Sequence, residues 1–349
     1  MVMVDFARIG AVATAVPVHC LHQRDVAAEA ALFFGQAFGA SERLAAIYDN
    51  AAIKTRYSCV PIDWYREPRD FPDKNALYIC QAEALLAEVA ERLVAEAGLA
   101  MQDIDGLVVV SSTGIATPSL DALLIERLGF RPDVDRLPVF GLGCAGGVIG
   151  LARTAQLAAA RPGSRYLCLV VELCGLTFRA RDRTKSNIVA TALFGDGAGG
   201  AIIGTDLDGP KIGAGVSHTW PGSLDVMGWD LRSDGLAVVF SRDIPHIIRT
   251  KMPPVLARFL NDNELGLTEF DQFLAHPGGA KVVDALEEVF GLDTGRMIHS
   301  RQVLRDYGNM SAATVLFVLD RAMRAGDRGR ALLSALGPGF TAAMLVVED

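Results

Sequence analysis

The sequence has no long uninterrupted apolar run, and no stretch approaches the roughly 18 apolar residues of a membrane-spanning helix. It also lacks the basic start and apolar segment of a secretion signal, because the first residues, MVMVDFAR, place an acid before the first base. We therefore expect neither a membrane span nor a signal peptide.

Basic residues are in the minority, with 33 Lys and Arg against 41 Asp and Glu, a formal charge of -8 and an isoelectric point of about 5.3. A general nucleic-acid binder needs a net basic face that neutralises phosphates, so this balance argues against that class. This charge balance still allows a local basic patch that binds a small anionic ligand.

Cysteine is too sparse and too scattered for a disulfide framework or a zinc site. The six cysteines stand at positions 20, 59, 80, 144, 168 and 174, with no Cys-x-x-Cys pair and no Cys/His cluster of metal-ligand spacing. We expect reduced thiols in a cytosolic protein and no bound metal.

What the sequence does contain is an alternation of helical and strand-like segments, which is typical of an α/β layered fold. Residues 75–98 carry Ala, Leu and Val at helical spacing, and the short β-branched segment 106–110 predicts a buried strand. With 349 residues and 51% apolar types, the chain is long enough for two domain-sized units.

This alternation repeats at a nearly constant offset. The segments that end at Asp105 and Asp271, 166 residues apart, each lead to a strand, a polar turn and a helix. Cys144 and Asn309, 165 residues apart, each stand where a further helix opens. We interpret the pattern as a duplication, and two unrelated α/β segments are the alternative.

The duplication predicts two α/β halves, 1–210 and 211–349, related by pseudo-twofold symmetry. Equivalent loops of such halves come together at one place. The loops concerned carry Cys144, His276 and Asn309, so we expect these three side chains to be neighbours.

Each of the three has a chemical and a structural interpretation. Cys144 follows glycines at the start of an apolar helix, where the helix dipole favours thiolate, but a free Cys is also a common core residue. His276 at a strand end can assist a thiol or an oxyanion, or satisfy a loop carbonyl. Asn309 can cap its helix or donate to a developing negative oxygen. Together they indicate acyl-thioester chemistry, and we find no acid at an equivalent position that would suggest a hydrolase-style triad.

Five motifs carry a resemblance that covers essentially the whole chain. In order and spacing the chain resembles the type III polyketide synthases, the chalcone-synthase-like branch of the thiolase fold, through Gly143-Cys-Ala-Gly-Gly, Leu193-Phe-Gly-Asp-Gly-Ala198, His276-Pro-Gly-Gly, Tyr307-Gly-Asn-Met-Ser-Ala-Ala and Gly337-Pro-Gly339. The resemblance implies a thiolase-like layered αβαβα fold, acyl-CoA and malonyl-CoA as substrates without a further cofactor, and a homodimer.

The resemblance also implies roles for matching positions. Cys144 matches the nucleophile that holds the starter and the growing chain, and His276 and Asn309 match the pair that holds the enolate formed from malonyl-CoA. Phe194 matches the aromatic gatekeeper between the CoA tunnel and the cavity. The family's second gatekeeping Phe falls at Val238, so the two-aromatic gate is in question here.

Within the family, segments 111–119 and 171–178 look like those of the bacterial alkylpyrone and alkylresorcinol synthases. In the long-chain enzymes, Thr113, Thr117 and Cys174 match small residues that line a tunnel for a fatty acyl tail. The resemblance therefore implies a long starter, with the product ring left open between pyrone and resorcinol.

Three further positions have competing interpretations. Lys54 and Arg56 look like the family's basic residues at the CoA phosphates, and a solvated basic face is the alternative. Trp229 stands where the plant enzymes have Gly, which would shrink the elongation cavity; ordinary core packing is the alternative.

We therefore expect a type III polyketide synthase that loads a medium- or long-chain acyl group on Cys144, extends it with malonyl-CoA and closes an alkylpyrone or alkylresorcinol. A β-ketoacyl synthase III-like condensing enzyme is one alternative, although its usual His-Gln-Ala-Asn segment is replaced by His276-Pro-Gly-Gly. A non-catalytic ketosynthase-like partner subunit is the other.

Overall fold

The structure is a computed structural model that describes residues 6–38 and 41–349, with side chains described outside residues 35–43. The strands are β1 (Arg8–Ala15), β2 (His19–His22), β3 (Thr55–Ser58), β4 (Gly106–Ser111), β5 (Asp135–Phe140), β6 (Arg165–Leu173), β7 (Asp196–Gly204), β8 (Lys211–Thr219), β9 (Met227–Arg232), β10 (Gly235–Phe240), β11 (Gln272–Ala275), β12 (Arg330–Gly337) and β13 (Thr341–Glu348). The helices are α1 (Gln23–Phe38), α2 (Ser41–Asp49), α3 (Phe71–Glu96), α4 (Leu120–Leu128), α5 (Gly146–Ala160), α6 (Lys185–Leu193), α7 (Ile244–Asp262), α8 (Ala280–Val289), α9 (Ile298–Tyr307) and α10 (Thr314–Ala325).

The large mixed sheet has the strand order β11-β12-β13-β8-β1-β7-β6-β4-β5. In its first half, β4 runs parallel to β6, which is antiparallel to β7, which is antiparallel to β1. The second half repeats this pattern, because β11 runs parallel to β12, which is antiparallel to β13, which is antiparallel to β8. The predicted duplication is confirmed, and within the described residues only the first half carries an outer strand such as β5.

The repeat extends to single hydrogen bonds. The Asp105 carboxylate accepts a hydrogen bond from the Arg165 backbone N–H (2.9 Å), and the Asp271 carboxylate accepts one from the Arg330 backbone N–H (2.8 Å). Each of these aspartates therefore ties the start of one central strand to the start of the next, at the offset that the sequence predicts.

The offset changes at the helices that follow. The 3₁₀ turns that open α5 and α10 are Gly143–Ala145 and Ser311–Ala313. Cys144 lies within the first turn, whereas Asn309 lies two residues before the second. The two residues therefore do not occupy equivalent positions of the repeat, although the sequence offset suggested that they would. The two side chains reach the same region from different points of their turns.

Five layers follow from the alternation of side chains along the strands. On β4, Val108 packs with α5 and α10, whereas Leu107 packs with α3 and α4. On β12, Leu333 packs with α5 and α10, whereas Leu332 packs with α7 and α8. Helices α5 and α10 thus lie between the two halves of the sheet, which confirms the predicted αβαβα layering.

The two central helices approach each other most closely at Gly147. A Cβ at this position would lie 2.3 Å from the Ala312 carbonyl oxygen, so only glycine permits the contact. Both helix starts therefore meet in the interior. Among residues 6–38 and 41–349, none of the helices combines the length and apolar character that crossing a membrane requires.

Candidate active site

Cys144 lies in the Gly143–Ala145 turn that leads directly into α5. Gly143 has a left-handed φ of +47°, and a Cβ there would lie 2.6 Å from the Pro338 ring. The Cys144 side chain is buried, and burial raises the pKa of its thiol to about 12. Burial therefore opposes the thiolate that the helix start was expected to favour.

Asn309 is held by hydrogen bonds at both ends of its amide. Its Oδ1 accepts a hydrogen bond from the Ser311 backbone N–H (2.8 Å), and its Nδ2 donates to the Gly278 carbonyl (3.1 Å). Ser311 has a φ of +46°, which is uncommon for a residue other than glycine. Its hydroxyl accepts a hydrogen bond from the Cys144 thiol at 3.7 Å. A single residue, Ser311, therefore connects the Asn309 amide to the Cys144 sulfur.

His276 follows β11 and is 3% exposed. Neither of its ring nitrogens has a hydrogen-bond partner within the described part of the chain, so the imidazole does not satisfy a loop carbonyl there. Burial lowers the pKa of His276 to about 3, which leaves the ring neutral at ordinary pH. A buried polar atom without a partner costs free energy, so an open imidazole of this kind points to a ligand.

These contacts place the three predicted residues in one region. Ser311 contacts both Cys144 and Asn309, and Asn309 contacts Gly278. Gly278 lies beside the imidazole, because a Cβ added to it would be 3.7 Å from His276 Nε2. A sulfur, a neutral imidazole and an amide from separate loops are thus gathered in the interior.

A small cavity opens at Cys144. Its apolar wall contains Phe194, with the Trp229 ring 6.0 Å and the Phe240 ring 5.6 Å away between centroids. Val238 also lines it and faces Trp229 across the β9–β10 hairpin. Sequence reasoning missed Phe240, which supplies a second aromatic ring two positions beyond the expected one.

A second cavity shares Phe194 and Val238 with the first. Most of its lining is apolar and comes from α1, from α6 and from the turn that follows β6. Ala30, Phe34 and Cys174 are among the lining residues. Of the positions expected to line a tunnel, Cys174 is therefore next to a cavity that adjoins the sulfur.

Family models for both domains of the chalcone and stilbene synthases match this chain, the N-terminal domain over residues 4–207 and the C-terminal domain over residues 212–349. The chain belongs to the chalcone and stilbene synthase family. It is thus a type III polyketide synthase, an acyltransferase of the condensing type. Membership of this family replaces the two alternatives that the sequence left open, a β-ketoacyl synthase III-like enzyme and a non-catalytic partner subunit.

Known relatives span nearly the whole chain. The 1,3,6,8-tetrahydroxynaphthalene synthase of Streptomyces peucetius is 37% identical over 97% of this chain and 92% of its own. The α-pyrone synthesis polyketide synthase-like Pks18 of Mycobacterium tuberculosis is 28% identical over 96% of this chain and 89% of its own. The crystal structure of 1,3,6,8-tetrahydroxynaphthalene synthase from Streptomyces coelicolor has a TM-score of 0.93 at 26% identity, covering 97% of this chain and 98% of that one. Type III polyketide synthases use CoA thioesters and typically act as homodimers.

Two predicted tunnel positions of this polyketide synthase lie elsewhere. The Thr113 hydroxyl donates to Glu172 Oε2 (2.8 Å) and accepts a hydrogen bond from the Leu173 N–H (2.9 Å), so it is used within the protein. Thr117 is exposed at the surface. Neither side chain lines the cavities at Phe194, so the expected tunnel roles of Thr113 and Thr117 gain no support from these cavities and stay predictions.

The two predicted CoA contacts differ in exposure. Lys54 is exposed. Arg56 is 3% exposed, and its guanidinium donates to the backbone carbonyls of Thr191 (2.7 Å), Ala192 (2.8 Å) and Phe194 (2.9 Å). These internal contacts direct the guanidinium towards α6 and give no support to a role at CoA phosphates, which stays a prediction.

A buried acid behind the site was not expected from the sequence. Glu172 on β6 accepts hydrogen bonds from the Ser112 backbone N–H (3.0 Å), the Ser112 hydroxyl (2.7 Å) and the Thr113 hydroxyl. Burial raises the pKa of Glu172, and hydrogen bonds from Ser112, Thr113 and Ser311 oppose that rise. The Ser311–Ala313 turn packs against β6 and brings Ser311 near this acid, which no motif spacing could indicate.

The buried imidazole predicts how stability depends on pH. The unfolded chain protonates His276 below pH 6.5, whereas the folded chain resists protonation until about pH 3. The free energy of unfolding attributable to this group therefore falls as pH drops from 6.5 towards 3, by up to about 1.4 kcal/mol per pH unit. Urea unfolding at several pH values should show this slope for the wild type and not for His276→Gln. Above about pH 7 the two curves should run parallel; parallel curves over the acid range would contradict the assignment.

Proposed function

We propose that the protein loads a medium- or long-chain acyl group from acyl-CoA onto Cys144, extends it with malonyl-CoA and releases an alkylpyrone or alkylresorcinol. The observation that carries this proposal is the largely apolar cavity that meets the Cys144 cavity at Phe194 and Val238. A fatty tail gains about 0.8 kcal/mol, or about fourfold in affinity, for each CH₂ that it buries.

In the loading step, the Cys144 sulfur attacks the thioester carbonyl of acyl-CoA. A bond forms between sulfur and the acyl carbon, the bond from that carbon to the CoA sulfur breaks, and CoA leaves with the thiol proton. We assign the His276 ring, whose nitrogens have no partner in the described chain, to hydrogen-bond the reacting sulfur and pass its proton to the departing CoA.

In the extension step, malonyl-CoA loses CO₂, and the electron pair of the broken carbon–carbon bond becomes an enolate. The second N–H of Asn309 and the His276 imidazole are the donors that we assign to the enolate oxygen. The enolate carbon attacks the acyl carbon on Cys144, which releases the sulfur and leaves a β-ketoacyl-CoA. Transfer of that chain back to the sulfur, with loss of CoA, prepares the next cycle.

The surroundings suit these steps because they keep water away. Cys144, His276 and Asn309 are all at most 6% exposed, and the walls at Phe194 and Trp229 are aromatic. A dry site protects the acyl thioester from hydrolysis and strengthens each donor. The α-pyrone synthesis that the name of Pks18 states gives a precedent for a pyrone product among the relatives.

The decisive assay offers labelled malonyl-CoA with acyl-CoAs of two to twenty carbons and identifies the products by mass. We expect kcat/KM to rise with chain length and the products to retain the starter alkyl group. Exclusive use of acetyl- or malonyl-CoA as starter would contradict the proposal.

A change that fills the apolar cavity should shorten the accepted starter. Ala30 on α1 lines the cavity and is buried, so Ala30→Phe should lower kcat/KM for long starters about tenfold or more and leave the shortest starters within about threefold. Ala28→Phe is the matched control, because Ala28 lies on the exposed face of the same helix. Equal loss with short and long starters, or equal effects of both variants, would count against this location for the tail.

A further inference from the structure

Arg56 donates a hydrogen bond to the carbonyl of the gate residue Phe194, and the backbone of Phe194 pairs with that of Asn309. We propose that Arg56 is a positioning residue that sets Phe194 and Asn309 together for condensation. This inference rests on the proposed roles of those two residues. It reassigns a side chain that sequence resemblance places at CoA.

The first observation is where the guanidinium points. Helix α6 ends at Leu193, and the carbonyls at a helix C-terminus lack partners within the helix. Arg56 donates to three carbonyls there, those of Thr191, Ala192 and Phe194. The cation thus binds the negative end of the α6 dipole and fixes the backbone at the residue that carries the gate ring.

A buried amide completes this contact. Gln23 Oε1 accepts a hydrogen bond from Arg56, and Gln23 Nε2 donates to the carbonyls of Tyr48 (3.2 Å) and Ala192 (3.1 Å). Gln23 is 9% exposed. The fork geometry of arginine, with several parallel donors, serves this set of acceptors in a way that a lysine ammonium does not.

The second observation joins the same backbone to Asn309. The Asn309 N–H donates to the Leu193 carbonyl (2.8 Å), and the Gly195 N–H donates to the Asn309 carbonyl (3.0 Å), so Phe194 and Asn309 form a β-bridge. The Thr55 hydroxyl, next to Arg56, donates to the Asp306 carbonyl (2.7 Å). A shift at Arg56 would therefore move the gate and the amide as one unit.

The test is Arg56→Lys, which keeps the charge and loses the fork, assayed with the best starter of the wild type. We expect kcat to fall about tenfold or more, with KM for malonyl-CoA within about threefold, because misplaced groups slow chemistry more than binding. We also expect an altered ratio of long to short starters, since Phe194 borders both cavities. Arg330→Lys is the control, because it makes the same change at a strand end away from the cavities.

Free CoA as a competitor separates positioning from phosphate binding. We expect its inhibition constant to stay within about threefold in Arg56→Lys and to rise in Lys54→Ala, whose side chain is exposed. A raised inhibition constant with unchanged kcat in Arg56→Lys would overturn the proposal. So would a lower melting temperature with wild-type kcat and an unchanged starter ratio, because that result describes a purely structural residue.

A milder variant keeps the test decisive if Arg56→Lys does not fold. Gln23→Met removes one acceptor of Arg56 and leaves its three carbonyl contacts, so we expect a kcat loss of about threefold at unchanged KM. No loss would overturn the proposal. Each variant is compared with the wild type on the same starter. If the wild type does not use long-chain starters, the proposed function fails, and that result is seen without any variant.

Discussion

Cys144→Ala should lower polyketide formation by about a thousandfold or more, because the proposed mechanism holds the acyl chain on this sulfur during condensation. Decarboxylation of malonyl-CoA should persist in this variant, since the proposed enolate donors His276 and Asn309 remain in place. The measurement is product formation by mass, beside CO₂ release from carboxyl-labelled malonyl-CoA. A mass shift on the peptide that contains position 144, after incubation with acyl-CoA, should appear in the wild type and not in Cys144→Ala.

Cys80→Ser is the matched control, because Cys80 is a free and exposed thiol. It should retain wild-type product formation and the acylated Cys144 peptide. Product from Cys144→Ala at more than about a tenth of the wild-type rate would show that another group carries the chain.

Loss of the Asn309 donor should have the next largest effect. Asn309→Asp keeps an acceptor for the Ser311 N–H but cannot donate, and its charge opposes an enolate. We expect decarboxylation and condensation to fall together by about a hundredfold to a thousandfold, since one oxyanion donor is typically worth about 2.7–4 kcal/mol. Decarboxylation of malonyl-CoA without a starter is the direct measurement.

A second variant separates this effect from folding. Asn309→Leu also removes the Oδ1 acceptor, so its melting temperature should fall further than that of Asn309→Asp while the rate loss stays similar. Asn75→Leu is the control, because Asn75 makes two local contacts with Ile115 at the surface. A decarboxylation rate within about threefold of the wild type in either Asn309 variant would remove Asn309 from the mechanism.

The sequence predicted the fold well because the hydrophobic pattern within each element and the repeat of elements along the chain agree. The strand Gln272–Ala275 and the helical stretch within Phe71–Glu96 follow from residue pattern, and the repeat then determines which strands pair. The repeat also indicated which loops meet, so Cys144, His276 and Asn309 could be grouped before any coordinates.

The rest depends on contacts that no local pattern records. Ser311 and Glu172 meet through neighbouring elements of both halves, and Phe240 reaches Phe194 only because the β9–β10 hairpin folds over the cavity. The contacts of Thr113 and Arg56 differ from the expected ones for a common reason. A small hydroxyl or a basic side chain indicates capacity for a contact, whereas burial and the nearest acceptor decide which contact it makes.

The junction of the two cavities at Phe194 and Val238 has a consequence for the number of malonyl units that are added to a starter. In the proposed function, new units are inserted next to the sulfur, so every condensation would push the starter end farther from Cys144 and deeper into the apolar cavity. A longer starter would use more of that cavity from the outset and leave room for fewer additions. The cavity would then limit the total length of the chain. A starter with a longer alkyl tail should therefore receive fewer malonyl units before the product is released.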